Sequence, residues 1–416
     1  MRRLYFLLAV SCLMLVLLAQ VVSCSTNSSE AENYKNQGNS YYTNGQYDLA
    51  IADYSKAIEV NPKYAVAYYD RGIAYSNEQQ YDLAIADFSK AIELNPKDTD
   101  SYYNRGIAYD DNGQYDLAIT DYSKTIELNS KYTDAYNNRG NAYTSKGQYD
   151  LAIADFNKAI ELNPNEAQTY YNRGFAYADN KQYDLAIADY SKAIELNPQY
   201  VEAYNNRGTA YELTKQYTLA IADYSEVIEI NPQDADAYNN RGGSYSDNEQ
   251  YDLAIADYSK AIELNPQDTD AYNGRGNTYE IMGQYDLAIA DFSEAIEFNP
   301  QSSDAYNGLG VAYDGKKQYD QAIANYSKAI QLDPQNEDAY SNRGSDMGQF
   351  TQAIADYSQA ILINPQFANA YLGRAITYQS MGQINLAIAD LKTCISLSPS
   401  SQMNDKAETL LSELQK

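Results

Sequence analysis

Hydrophobic positions recur along this chain with two nested periods. Locally, apolar residues return every three or four positions, the spacing that lays one stripe along one face of a helix. Over longer distances the pattern returns every 34 residues, in units starting at Ala31, Ala65, Thr99, Thr133, Ala167, Val201, Ala235, Thr269, Ser303, Glu337 and Ala368, of which the tenth has 31 residues. Each unit predicts two helices. Tyrosine at repeat position 4 (Tyr34 to Tyr371) and again at position 11 shares one face of the first helix. Position 8 is glycine (Gly38, Gly72, Gly106) until Ala375, and position 20 is alanine from Ala50 to Ala387, so small residues predict close packing of the pair. Aspartate at position 18 (Asp48, Asp82, Asp116) opens the second helix, where an acid favours the helix dipole. Proline at position 32 (Pro62, Pro96, Pro365) stops it. Aromatics at positions 17 and 24, such as Tyr81 and Phe88, fill the remaining seam, and 37 of the 45 tyrosines fall at positions 4, 11, 17 and 24, which assigns most of them to the core.

No isolated unit buries its apolar face, so neighbours stack and the ends need closing. Residues 402–416 carry Ala407, Leu410, Leu411 and Leu414 at helical spacing and read as a capping helix. One elongated body is therefore expected in place of two or three globular domains. Arginine at position 7 (Arg71 to Arg275, Arg343, Arg374) recurs with aspartate at position 23, and the ninth unit, with Asn325 in place of the acid, is also the one with Leu309 in place of the arginine. That joint exception predicts a partly buried ion pair in each unit. Cys394, at position 27, reads as core. The tenth unit lacks positions 9 to 11, which shortens its first helix by almost a turn and predicts a kink near Ser345 to Gln349.

A typical unit, AYNNRGxAYxxxxQYDLAIADYSKAIELNPQ, resembles the tetratricopeptide repeat family, and the resemblance covers residues 31–401. It implies an all-α, right-handed solenoid of eleven helix-turn-helix units (31–64, 65–98, 99–132, 133–166, 167–200, 201–234, 235–268, 269–302, 303–336, 337–367 and 368–401), closed by the cap. It also implies a concave groove lined by positions 2, 5, 6, 9, 12 and 13 of the first helices, where protein or peptide segments bind.

In those columns, position 2 is acidic in eight units, among them Asp100, Asp134 and Asp236. An acidic groove favours basic partners; charge kept for solubility is the competing reading. Position 6 is asparagine at Asn36, Asn104, Asn138, Asn172, Asn206, Asn240 and Asn342, and an amide donates and accepts at once, which suits the backbone of an extended peptide. This column resembles the asparagine ladder of the repeat domain of O-linked N-acetylglucosamine transferase. Surplus apolar groups cluster in the second to fifth units: Tyr69, Ile73, Tyr103, Ile107, Tyr171 and Phe175, either an aromatic hot spot or extra packing between repeats. The basic clamp by which chaperone-binding members grip a terminal carboxylate is missing except for Lys35.

The first 23 residues are of another kind. Arg2 and Arg3 precede an apolar run from Leu4 to Val22, the pattern of an export signal. The run ends in Val21, Val22, Ser23, Cys24, which resembles a bacterial lipobox and implies cleavage before Cys24 and a lipid on its sulfur, with residues 24–30 as a polar tether. An ordinary cleaved signal and an uncut anchor are the alternatives. The expected location is the cell envelope, facing periplasm or exterior.

Composition excludes more than it suggests. With 57 acidic and 30 basic residues the net charge is −27, which repels phosphate backbones and argues against nucleic acid. Histidine is absent, removing the usual general base and the commonest metal ligand, so neither catalysis, metal nor cofactor is expected. The function read from sequence is a membrane-anchored scaffold for protein or peptide segments; a polysaccharide-binding or polymer-secretion module is the alternative.

Overall fold

The computed structural model describes residues 28–398 and 402–415. Its helices are α1 (28–43), α2 (Tyr47–Val60), α3 (Ala65–Asn77), α4 (Tyr81–Leu94), α5 (Thr99–Asp111), α6 (Tyr115–Leu128), α7 (Thr133–Ser145), α8 (Tyr149–Leu162), α9 (Ala167–Asp179), α10 (Tyr183–Leu196) and α11 (Val201–Leu213). They continue as α12 (Tyr217–Ile230), α13 (Ala235–Asp247), α14 (Tyr251–Leu264), α15 (Thr269–Ile281), α16 (Tyr285–Phe298), α17 (Ser303–Gly315), α18 (Tyr319–Leu332), α19 (Glu337–Asp346), α20 (Phe350–Ile363), α21 (Ala368–Ser380), α22 (Ile384–Leu397) and α23 (Gln402–Leu414). No strand occurs among the described residues. The chain divides into two compact bodies, one ending at Asn206 and one starting at Arg207, where the repeat alone suggested one. A repeat touches chiefly its neighbours, so no core common to the whole chain is formed. Inside each body successive helices pack on one another as a helical solenoid.

The turn within every unit but the tenth is fixed by one left-handed residue. Gly45, Gly113, Gly147, Gly283 and Gly382 take φ between 69° and 72° there, and Gln79, Lys181, Lys215, Glu249 and Lys317 hold the same conformation at 57° to 61° despite their side chains. The next amide then folds back, as Gln114 N–H does to the Tyr109 carbonyl at 2.7 Å. At the other end of a pair, Asn61 closes α2 by donating its N–H to the Ala57 carbonyl, and Pro62 follows.

Packing within a unit turns on positions 8, 20 and 24. Ala84, Ala118 and Ala152 are fully buried, as are the rings of Phe88, Tyr122 and Phe156. A Cβ on Gly106 would sit 2.7 Å from the Tyr122 ring, so the glycine column is set by an aromatic lying against bare backbone. The last unit has Ala375 and Leu391 in these two places, both buried in one cluster. Cys394 is buried in the same cluster, and burial pushes its thiol up.

The tyrosines correct the sequence reading. Those at position 24 are core, but most at positions 4 and 11 are half-buried, and Tyr319 at position 17 is 47% exposed. Their task is visible around the arginines. Arg105 lies between the rings of Tyr102 and Tyr109, 5.7 and 5.8 Å from their centroids. Its Nε and Nη2 donate to both oxygens of Asp121 at 2.7 and 2.8 Å, and its Nη1 donates to Ser89 of the preceding unit at 2.9 Å. The same bidentate pair forms in nine units, from Arg71–Asp87 to Arg374–Asp390. The ion pair inferred from the joint exception is thus present, and the bond to the neighbouring repeat, which the sequence did not reveal, makes the arginine a staple between units. Burial pulls the Arg105 guanidinium down and its bonds to Asp121 more than offset this, so it is held above its usual range.

In the tenth unit α19 has ten residues against thirteen in α17. The chain breaks rather than kinks: Met347 and Gln349 are extended. The missing turn opens a cavity of about 450 Å³ lined by residues including Ser341, Met347, Phe350 and Leu372. Arg343 still reaches Asp356 at 2.8 Å, because the deletion falls after it. At the C-terminal end α23 covers the last unit, with Ala407 fully buried and Leu410, Leu411 and Leu414 packed on the same cluster as Leu391.

The leader, Cys24 and residues 25–27 lie outside the described residues. Residues 28–30, assigned above to a polar tether, already belong to α1, since nothing in their sequence stops the helix that the first repeat propagates. No described helix is long and apolar enough to cross a membrane.

Candidate functional site

The columns expected to line the groove lie on the odd-numbered helices. Tyr69 and Ile73 stand on α3, Asp100, Tyr103, Asn104 and Ile107 on α5, Asp134 and Asn138 on α7, Tyr171, Asn172 and Phe175 on α9, Asn206 on α11, and Asp236 and Asn240 on α13. Asp100, Asp134 and Asp236 are exposed, and the asparagines and tyrosines are half-buried.

Several of the asparagines are engaged. Asn104 Nδ2 donates to the Tyr69 hydroxyl at 3.0 Å, Asn138 to Tyr103 at 3.0 Å and Asn206 to Tyr171 at 3.0 Å. Position 6 of one unit is therefore tied to position 5 of the unit before it. The sequence reading had these amides waiting for a peptide backbone; the structure gives their donors an internal partner. Asn172 accepts from Gln168 at 2.8 Å, and Asn342 Nδ2 donates to Asn307 Oδ1 at 3.2 Å. Asn240 is half-buried without the tyrosine partner of the earlier rungs, as position 5 changes from tyrosine to asparagine in the later units.

The apolar cluster is likewise shared between packing and surface. Tyr69 and Ile73 pack against Ala84, Phe88 and Ala108, with the Tyr69 and Phe88 centroids 5.9 Å apart. Tyr103 lies 6.0 Å from Tyr122 and 4.8 Å from Tyr132, and Tyr171 lies 5.8 Å from Tyr190 and 5.0 Å from Tyr200. Phe175 is the more open member at 41% exposure. Tyr132 and Tyr200 escaped the sequence reading because they sit in the loops between units. Their signal was available: an aromatic at position 34 of a unit whose position 5 is tyrosine.

Burial shapes the electrostatics of this face. The Tyr69 phenol is pushed up to about 12 by burial and by Asp100 and Asp98, and Tyr103 to about 12 by burial and Asp134. Burial lifts the Asp70 carboxyl to about 6, with Lys35 pulling the other way, and lifts Asp110 to about 6, with Asp111 adding to it. Hydroxyls, amides and carboxylates here hold hydrogen bonds and attract cations. Among the described residues, no group of three or more acidic or cysteine side chains is placed to hold a metal ion.

Stacked helix pairs of fixed length, tied together by side chains at fixed repeat positions, define a helical repeat scaffold. The chain matches the tetratricopeptide repeat profile over residues 65–98, 99–132, 167–200, 201–234, 235–268, 269–302 and 303–336, and related profiles over 122–154 and 368–401. A TPR repeat profile matches 38–78, 140–181 and 346–382. The chain belongs to the tetratricopeptide repeat family. Comparison with curated proteins gave no match. Among solved structures it is similar to yeast Tom70, at 18% identity and a TM-score of 0.51 over 92% of this chain and 95% of that one. It is also similar to the APC/C hetero-tetramer Cut9–Hcn1, at 15% identity and TM-score 0.51 over 96% and 99%. A third is the C-terminal part of a TPR repeat-containing protein from Cytophaga hutchinsonii, at 24% identity and TM-score 0.51 over 57% and 98%. At these identities the likeness is one of fold, and it is the family match that makes the chain a scaffold suited to protein–protein interaction.

Proposed function

We propose that this chain is a passive scaffold that binds extended, basic segments of other proteins along the position 2, 5 and 6 columns of its first helices, and that it works outside the cytoplasmic membrane, held by a lipid on Cys24. The observation that carries the binding reading is that the position 2 acids are exposed, Asp100 and Asp134 in the first body and Asp236 in the second, on helices that also carry half-buried tyrosine and asparagine side chains. Such a face attracts positive charge at long range and offers aromatic anchors at short range. That Cut9 is seen in complex with Hcn1 agrees with this use of the fold.

A peptide array sorted by charge tests it. Basic extended peptides should bind at least tenfold more tightly than acidic ones, with affinity falling as salt rises, and Asp100→Asn with Asp134→Asn should weaken them. Binding without charge preference would sink the reading, and binding to a glycan array in place of peptides would favour polysaccharide handling. The anchor has its own test. Intact mass of membrane-derived protein should show acyl mass in the wild type and none in Cys24→Ala, and a wild type without it would refute the lipid.

A further inference from the structure

The first two repeat units enclose a pocket of about 350 Å³ whose lining includes Asn39, Tyr42, Tyr54, Tyr69, Asp70 and Ile73. Its three phenols are pinned. Tyr54 donates its hydroxyl proton to Asn39 Oδ1 at 2.9 Å, while the hydroxyls of Tyr42 and Tyr69 accept from Asn77 and Asn104 at 3.0 Å each. Three rings held in this way, with Ile73 beside them, make a rigid aromatic wall that pays little ordering cost on binding.

Asp70 departs from its column. It occupies position 6, where Asn104, Asn138 and Asn206 each donate to a tyrosine one unit back. A carboxylate has no proton to donate, and the residue one unit back is Lys35 rather than tyrosine. No hydrogen bond or ion pair among the described residues engages Asp70, although Lys35 acts on it electrostatically. The rung is thus replaced by a half-buried acid without a contact partner, facing a pocket walled by aromatics. Burial already disfavours its charge, so a cation brought to it restores what water no longer supplies. The ring faces add to the same preference, since their quadrupoles attract cations.

We propose that this pocket receives a lysine or arginine side chain of the bound segment, the aromatic rings enclosing its alkyl stem and the Asp70 carboxylate pairing with its charged end. The inference rests on the peptide-binding reading and adds to it a fixed anchor point and a side-chain class.

The test uses the full chain with labelled isoleucine methyls and four capped peptides, acetyl-Ala-Ala-Xaa-Ala-Ala-amide, in which Xaa is arginine, lysine, norleucine or glutamate. The arginine and lysine peptides should shift the Ile73 methyl saturably, and the norleucine and glutamate peptides should bind at least tenfold more weakly. Asp70→Asn should lose that tenfold preference while melting no lower than wild type, because it removes an unpaired, half-buried charge. Lys35→Met, which removes a competing cation, should bind the basic peptides more tightly. Equal binding of the norleucine peptide, an unchanged preference in Asp70→Asn, or a lower melting temperature in that variant would each overturn the proposal, the last by showing Asp70 to be a structural partner of Lys35. Shifts at Ile107 with Ile73 silent would overturn the pocket and leave the wider groove reading standing. Silence at every isoleucine with all four peptides would remove both.

Discussion

Replacing Arg105 by leucine should destabilise the chain by about 3 kcal/mol, because the change leaves a buried carboxylate behind without its partner. Asp121 is 3% exposed and takes two of the guanidinium's bonds, so little water reaches it when the arginine goes. The same substitution cuts the bond to Ser89 and empties the space between Tyr102 and Tyr109. Adding Asp121→Asn should recover part of the loss, since an amide carries no charge to strand. The ninth unit already contains that combination: Leu309 is 8% exposed and Asn325 donates its amide to the Gln321 carbonyl. Chemical denaturation of the wild type, both single variants and the double variant measures the coupling. Additive effects would mean that the pair contributes nothing as a pair.

Gly106→Ala should cost about 1–3 kcal/mol for the opposite reason, too much matter rather than too little. The new methyl would meet the Tyr122 ring at 2.7 Å, and that ring is fully buried, with the Tyr103 ring 6.0 Å away on centroids. Tyr122→Leu alone should also destabilise, by leaving a cavity. Together the two should cost clearly less than their sum, because they reproduce the Ala375 and Leu391 pairing of the last unit. Thermal unfolding of the four proteins decides the matter, and a double variant as unstable as the sum would show that the two positions do not share one space.

These pairings explain which features were legible in the sequence. A repeat supplies many copies of each position, so a contact within a unit shows itself when both partners change together. Leu309 with Asn325 exposed the ion pair in this way. Ala375 with Leu391 carried the same kind of signal for the ring on the glycine, and it was passed over. Contacts between units are harder to read, since each partner then belongs to a different line of the alignment. That is why the bond from Arg105 to Ser89 and the rung from Asn104 to Tyr69 went unseen. The tyrosines show a further limit. Position fixes which face of a helix a residue shares, but not whether that face meets a solid core or a half-open cage around a guanidinium. The candidate site suffered most from this, because its asparagines read as free donors, although those of Asn104, Asn138 and Asn206 close the scaffold before any ligand arrives.

The exception in the ninth unit has a physical consequence of its own. At other joints an arginine hydrogen-bonds to the repeat before it, as Arg275 does to Ser259 at 2.9 Å. Leu309 makes no such bond and packs instead with Ala288, Phe292 and Ala312. That joint thus exchanges a charged hydrogen bond for apolar contact, although Lys316 still pairs with Asp286 across it. Apolar attraction weakens on cooling and strengthens in salts that are excluded from protein surfaces. At the joint between the eighth and ninth repeats, the contact that Leu309 makes in place of the arginine's bond is therefore the part that loosens in the cold and tightens in such salts.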